Sequence, residues 1–310
     1  MKPNPFVVPF KAVIADRPAA RSGVTRRALL GGLGMAGFLG SATAGYATGV
    51  EPLGLVVTSY RPKLPRWPAG RPLSISVIAD LHAGGPNMTL NHIRHVVDVA
   101  NSLKSDLIVL LGDYVATHRF VTEHVPHRIW AAELGRLDAP LGVWAVLGNH
   151  DWWLGVAKIR RAFADAGIPV LENHAVRLGP KGRGFWLAGL GDQIAVHLAN
   201  GHFKGIDDLP RTLAQVDTED PVILLAHEPD IFLTVPERVA LTLAGHTHGG
   251  QIRVPFVWEA LMRSPNGARF AYGHIVEERR HMIVSGGLGT SIVPVRLGVP
   301  PEIVRIDIGA

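Results

Sequence analysis

Acidic and histidine side chains gather at five places in this chain, each at the end of an apolar run. "LSISVIA" runs into Asp80-Leu81-His82, "LIVLL" into Gly112-Asp113, and "VWAVL" into Gly148-Asn149-His150-Asp151. "VILLA" runs into His227, and "VALTLA" into Gly245-His246-Thr247-His248. The donors are all carboxylate or amide oxygen and imidazole nitrogen, a set that suits Mn²⁺, Fe²⁺ or Zn²⁺. Asp80, His82, Asp113, Asn149, His227, His246 and His248 are too many for one tetrahedral zinc. They match two divalent ions sharing a bridging carboxylate. Such a pair, about 3.5–4 Å apart, acidifies a shared water and clamps both oxygens of an in-line displacement at phosphorus.

Those residues need elements that bring them together. The five runs are short, aliphatic and β-branched, as strands buried on both faces are. In "TLNHIRHVVDVANSL", Ile93, Val96, Val97, Ala100 and Leu103 step by three and four and predict a helix with one apolar face. Residues 127–137 and 156–166 carry the same spacing more weakly. Strand–helix alternation predicts βαβ crossovers and parallel central strands. Carboxyl ends of parallel strands share one edge, beyond which ligands bind, so all five clusters should meet there. Gly249 and Gly250 permit the positive φ that turns the chain sharply after His248. "MIVSGG" and "EIVRIDI" predict further strands, the second at an edge or in another sheet.

With 310 residues, 47% of them hydrophobic, the chain can bury a sizeable core. It has no cysteine, which excludes disulfides, thiolate metal sites and cysteine nucleophiles. The net charge of +5 lies wholly in residues 1–47, since the remainder carries equal numbers of basic and acidic side chains. No nucleic-acid partner is expected from that distribution. Residues 25–31, "TRRALLG", lead into an uncharged, Gly- and Ala-rich stretch that ends at Glu51 and contains Ala42-Thr43-Ala44. A basic region, an apolar region and a small-residue site make an export signal. The arginine pair is similar to a twin-arginine signal, with Leu29 where Phe is commonest and Gly31 where Lys is common. The expectation is therefore a signal at 1–47 handled by the twin-arginine export machinery, with membrane association if it is retained as an anchor. A proline-rich lead-in at 48–72 follows, and a domain at 73–310.

In their order, "DLH", "GD", "GNHD", "AHEPD" and "GHTH" resemble the calcineurin-like metallophosphoesterases. Within them, the chain resembles the exported bacterial branch, YkuE- and YaeI-like, which shows "GHTHGGQI" and a tail like "GLGTSIVPVRLGVPPEI". The resemblance spans 73–310. It implies an α/β fold, a four-layer α/β/β/α sandwich with the metal site at the carboxyl ends of the central strands. It implies that Asp80, His82 and His248 hold one metal, that Asp113 bridges, and that Asn149, His227 and His246 hold the second. His150 is then the residue that assists the leaving group, with Asp151 orienting its ring and favouring its protonated form. The implied reaction is hydrolysis of a phosphoester, with phosphodiesters favoured, by a hydroxide bridging the two metals. The substrate is then a phosphoester small molecule or lipid.

Bland readings compete with each motif. "DLH" and "GD" alone start ordinary turns, and Asn and Asp favour turns for backbone reasons. Two histidines clustered before two glycines are harder to explain away, and the ordered set of five harder still. His92 and His95 read as solvated helix residues, whereas His118 and His197 can line the cleft. "HEPD" is no zincin motif, because Pro229 breaks the helix it needs and Ile231 stands where a histidine belongs. Two alternatives remain at this level. One is a pyrophosphatase acting on a lipid-linked nucleotide sugar of the UDP-2,3-diacylglucosamine type. The other is a catalytically silent, metal-bound binding platform.

Overall fold

The computed structural model describes residues 40–180, 182–199, 201–254 and 266–310. The arginine pair and most of the expected signal, residues 1–39, lie outside the described residues. Among the described residues no helix is long and apolar enough to cross a membrane.

The five apolar runs are strands, and they divide between two sheets. The first sheet contains β1 (Val56–Tyr60), β2 (Leu73–Ile78), β3 (Leu107–Leu111) and β4 (Val143–Val146). The second contains β5 (His174–Leu178), β6 (Phe185–Gly189), β9 (Val222–Leu225), β10 (Val239–Ala244), β11 (Gly273–Glu277) and β12 (Arg280–Val284). A two-stranded ribbon, β7 (Val196–His197) with β8 (Phe203–Lys204), stands apart, and β13 (Glu302–Ile308) returns to the first sheet. The first sheet runs β1-β13-β2-β3-β4 and the second β11-β12-β10-β9-β6-β5. Their centres are parallel, β2 with β3 with β4, and β6 with β9 with β10 with β12. β6 escapes the sequence reading because its run is only Phe185–Ala188, bounded by Gly184 and Gly189. Gly189 is there for space, as a Cβ would lie 2.3 Å from that of Leu171.

Side chains alternate between two cores, as pleated strands require. Leu107, Val109 and Leu111 of β3 face Ile223 and Leu225 of β9 in the layer between the sheets. Ile108 and Leu110 face the other way, onto α1 (Leu90–Ser102), α2 (His127–Leu134) and α4 (Val156–Asp165). The helical spacing holds: Ile93, Val96, Val97 and Ala100 form the buried face of α1, and Thr89 caps its N-terminus by accepting from His92 N. On the far side, Val222 and Leu224 pack under the short α5 (Leu209–Leu213), the turn Pro229–Leu233 and Phe270. The α/β/β/α order is present, with the fourth layer reduced to short turns.

Two expectations need correction. β13 is not an edge or second-sheet strand; it lies inside the first sheet, parallel to β1 and antiparallel to β2. Its alternation reflects Arg305 and Asp307, which pair with each other at 2.9 Å. The segment 48–72 is more than an extended lead-in, because β1 lies within it and covers the edge of β13. Leu64 and Trp67 from the same segment join the core between the sheets, and Trp67 Nε1 donates to Arg71 O at 2.8 Å. Prolines suit such a segment because an edge strand and its flanks need few ladder donors. Trp67→Ala should therefore cost about 3 kcal/mol in a denaturant titration, as for other buried aromatics; a loss under about 0.5 kcal/mol would return 48–72 to the status of a linker.

Candidate metal centre

Strand ends from both sheets deliver the donors. Asp80 and His82 follow β2, Asp113 follows β3, and Asn149 opens α3 (Asn149–Trp153) after β4. His227 follows β9, and His246 and His248 follow β10. Asp80, His82 and His248 form one group whose ligand atoms lie within 4.8 Å of one another, and Asp113, His227 and His246 form a second. Asp113 joins the two groups: its Oδ2 lies 3.3 Å from His227 Nε2, 3.6 Å from His82 Nε2 and 3.8 Å from His150 Nε2. His82 Nε2 and His248 Nε2 are 3.0 Å apart, and His248 Nε2 is 3.7 Å from Asp80 Oδ1. Asn149 Oδ1 faces His246 Nδ1 at 3.1 Å. All seven expected donors thus come together.

The protein aims these groups. A carbonyl oxygen only accepts, so His82 Nδ1–H donates to Val115 O at 3.1 Å and His227 Nδ1–H to Leu111 O at 2.6 Å. Each ring is thereby held with Nε2 turned to the site, the arrangement metal-binding histidines use. The backbone is bent to match: Asp80, His82, Asp113, His246 and His248 have φ of 52°, 43°, 57°, 68° and 52°. For residues other than glycine each such conformation costs about 1–2 kcal/mol, and such strain clusters at functional sites. As expected, Gly249 and Gly250 carry φ of 59° and 87° behind the last ligands. Gly148 serves close approach instead, since a Cβ there would lie 2.4 Å from Asp113 Oδ1 and 2.7 Å from His227 Nε2.

The charges demand a cation. Burial pushes the Asp80 carboxyl up to about 7 and the His82 ring down to about 3. Burial also opposes charge on Asp113, yet the imidazoles of His227 and His150 outweigh it and hold Asp113 well below the usual carboxylate range. His227 moves the other way: burial lowers it, but the Asp113 carboxylate raises it well above an ordinary histidine. His246 and His248 are lowered, by burial first and by neighbouring rings second. The site thus concentrates imidazole lone pairs around two buried carboxyl groups, Asp80 and Asp113, and divalent ions satisfy both kinds of donor at once. The donor set fits a pair of divalent metals.

Asp151 does not do what the sequence suggests. Its Oδ2 accepts from Asp113 N and Gly148 N at 2.9 Å each, and its Oδ1 from Tyr114 N at 2.9 Å. His150 Nδ1, by contrast, has no hydrogen-bond partner. At the third position of α3 the carboxylate folds back to the helix start, as in a capping box, while the His150 ring lies between the site and Trp153, with Nε2 3.8 Å from Asp113 Oδ2 and its centroid 5.0 Å from that of Trp153. Asp151 therefore shapes the Asp113 turn, and the spacing from Gly148 was the signal for it.

Other contributors carry no motif. Arg296 is fully buried beside His248, with Nη2 3.4 Å from Nδ1, and its guanidinium donates to the carbonyls of Gly286, Gly289 and Val299. The glycine-rich turn it holds bonds in turn to Ala79 O and Asp80 O. His197 packs at a tilt against Trp153, centroids 4.3 Å apart, without lining the cavity; His118 is buried with an unpartnered Nδ1. Asp151→Asn, which sets an amide donor against backbone N–H groups, should lower both Tm and bound metal. A variant with normal metal content and only a shifted pH–rate profile would restore the orienting role.

Comparison with known proteins agrees with this geometry. Residues 73–250 match the family model described as calcineurin-like phosphoesterase. An Aquifex aeolicus protein named an uncharacterized metallophosphoesterase is 32% identical over 257 residues, covering 82% of this chain and 92% of that one. The uncharacterized metallophosphoesterase YkuE of Bacillus subtilis is 31% identical over 289 residues, 90% and 96% of the two chains. The phosphodiesterase YaeI of Escherichia coli is 32% identical over 241 residues, 76% and 82%. The motifs span the same residues that build the site, and the chain belongs to the calcineurin-like phosphoesterases, a family of metal-dependent phosphoester hydrolases.

Proposed function

We propose that the chain is a phosphodiesterase, and the observation that carries this reading is the charge of its pocket. The donors open into a cavity of about 470 Å³, and among the described residues neither lysine nor arginine lines it. A monoester dianion or a pyrophosphate would enter with excess charge and find no guanidinium or ammonium clamp, the usual device for such groups. A diester brings one negative charge, which a pair of dications more than offsets. The same charge balance disfavours the nucleotide-sugar pyrophosphatase reading.

Asp80, His82 and His248 would hold one ion, Asn149, His227 and His246 the other, and Asp113 both. Mn²⁺, Fe²⁺ or Zn²⁺ bound there would lower the pKa of water and neutralise charge at phosphorus. The protein's own contribution centres on His150. Its ring is partly exposed, with Nε2 on the Asp113 side and its face on Trp153. From there it donates a hydrogen bond to a phosphoryl oxygen or a proton to the departing alkoxide. The carbonyls of Val115 and Leu111 keep His82 and His227 from rotating away as charge builds.

Replacing His150 with Ala should preserve metal stoichiometry and reduce kcat on a phosphodiester by about 10²–10⁴-fold. Unchanged turnover would remove its role, and a wild type faster on monoesters than on diesters would overturn the proposal. The arginine pair Arg26-Arg27 and the uncharged stretch after it support placement outside the cytoplasm by the twin-arginine route. Residues 1–47 fused to a folded reporter should carry it out of the cytoplasm, and Arg26→Lys with Arg27→Lys should trap it inside; export of the double variant would contradict this route.

A further inference from the structure

The pocket mouth carries a strained residue that metal binding does not explain. Ile292 has φ of 66°, a conformation in which a β-branched side chain is an outlier. It is nonetheless 55% exposed and lines the cavity beside Val293, Ile194 and Trp153. Gln251 brackets it: Nε2 donates to Ser291 O and Val293 O at 3.0 Å each, and Oε1 accepts from Ser291 N at 2.8 Å. The amide thus fixes the backbone on both sides of an aliphatic side chain presented to solvent.

Further apolar surface lies beside the cavity. Trp153 packs its ring on His150, His197 and Phe203 and donates from Nε1 to Ile194 O at 3.1 Å. On the β7–β8 ribbon Val196, Leu198 and Phe203 remain exposed, and residues 194–206 contain no carboxylate. Exposed apolar surface contiguous with a binding cavity marks a ligand contact. The Trp153 ring is already packed against three neighbours. Phe203 keeps an exposed face on the ribbon, but the exposed side chain that lines the cavity itself, Ile292, is aliphatic and suits a hydrocarbon chain better than a stacked ring.

We propose that Ile292, with Ile194 and Val293, is a specificity-determining contact that binds an alkyl or acyl chain on the substrate, so that the preferred substrate is an amphiphilic phosphodiester. The inference rests on the phosphodiester reading and deepens it. Strain at Ile292 is kept because the side chain must project into the mouth, where an unstrained backbone would not hold it.

The test uses the metal-loaded protein and a series of n-alkyl p-nitrophenyl phosphodiesters, methyl to octyl, below their micellar concentrations. kcat/KM should rise about two- to fourfold per methylene, the increment for burying a CH₂. Ile292→Asn, which tolerates positive φ, should flatten that slope without lowering Tm. A residue that is only structural would give the opposite, a lower Tm and an unchanged slope. Hydrolysis of the methyl ester with no chain-length trend would overturn this inference alone, as would a phenyl ester outperforming the hexyl ester. Failure to cleave any diester, with monoesters cleaved, would instead sink the underlying phosphodiesterase reading.

Discussion

A carboxylate buried among imidazoles organises this protein. Asp113 is 1% exposed, and three histidine Nε2 atoms approach its Oδ2. Burying one negative charge is unfavourable by several kcal/mol unless opposite charge stands close. Within the chain the nearest group able to carry opposite charge is the His227 ring, whose Nε2 lies 3.3 Å from Asp113 Oδ2, and a divalent ion is a stronger substitute. Everything that holds Asp113 in place, including the Asp151 carboxylate on its backbone and the missing Cβ of Gly148, serves that one electrostatic demand.

The two sheets supply the rigidity. β2 and β3 lie in one and β9 and β10 in the other, so the donors rest on opposite walls of a shared aliphatic core. Loops alone would relax out of the left-handed conformations seen at Asp80, His82, Asp113, His246 and His248. Packed strand ends on one side and the Arg296-bound turn at Gly286–Gly289 on the other prevent it. The strain shared over these positions, about 1–2 kcal/mol each, is a cost the two-sheet core must offset.

Much of this was legible in the sequence because it is local. Apolar runs that end in Asp, Asn or His announce both a strand and its cargo, and the stepped apolar face of α1 needs only a 3.6-residue period. What escaped was not local. The Pro-rich segment gave no strand signal, yet β1 forms because β13 offers it a partner. Arg296 sits alone in an apolar tail, and no spacing rule predicts that three carbonyls await its guanidinium. Asp151 was misread because adjacency to His150 looked like contact; the first turn of α3 sends the two side chains in different directions.

When loaded, the donors on the two sheets should close around a pair of ions with Asp113 between them. Anomalous diffraction from crystals grown with Mn²⁺ tests it directly. Two peaks about 3.5–4 Å apart are expected, one beside Asp80, His82 and His248 and the other beside Asn149, His227 and His246, with Asp113 contacting both. A single peak, or peaks that leave Asp113 without a metal contact, would contradict it.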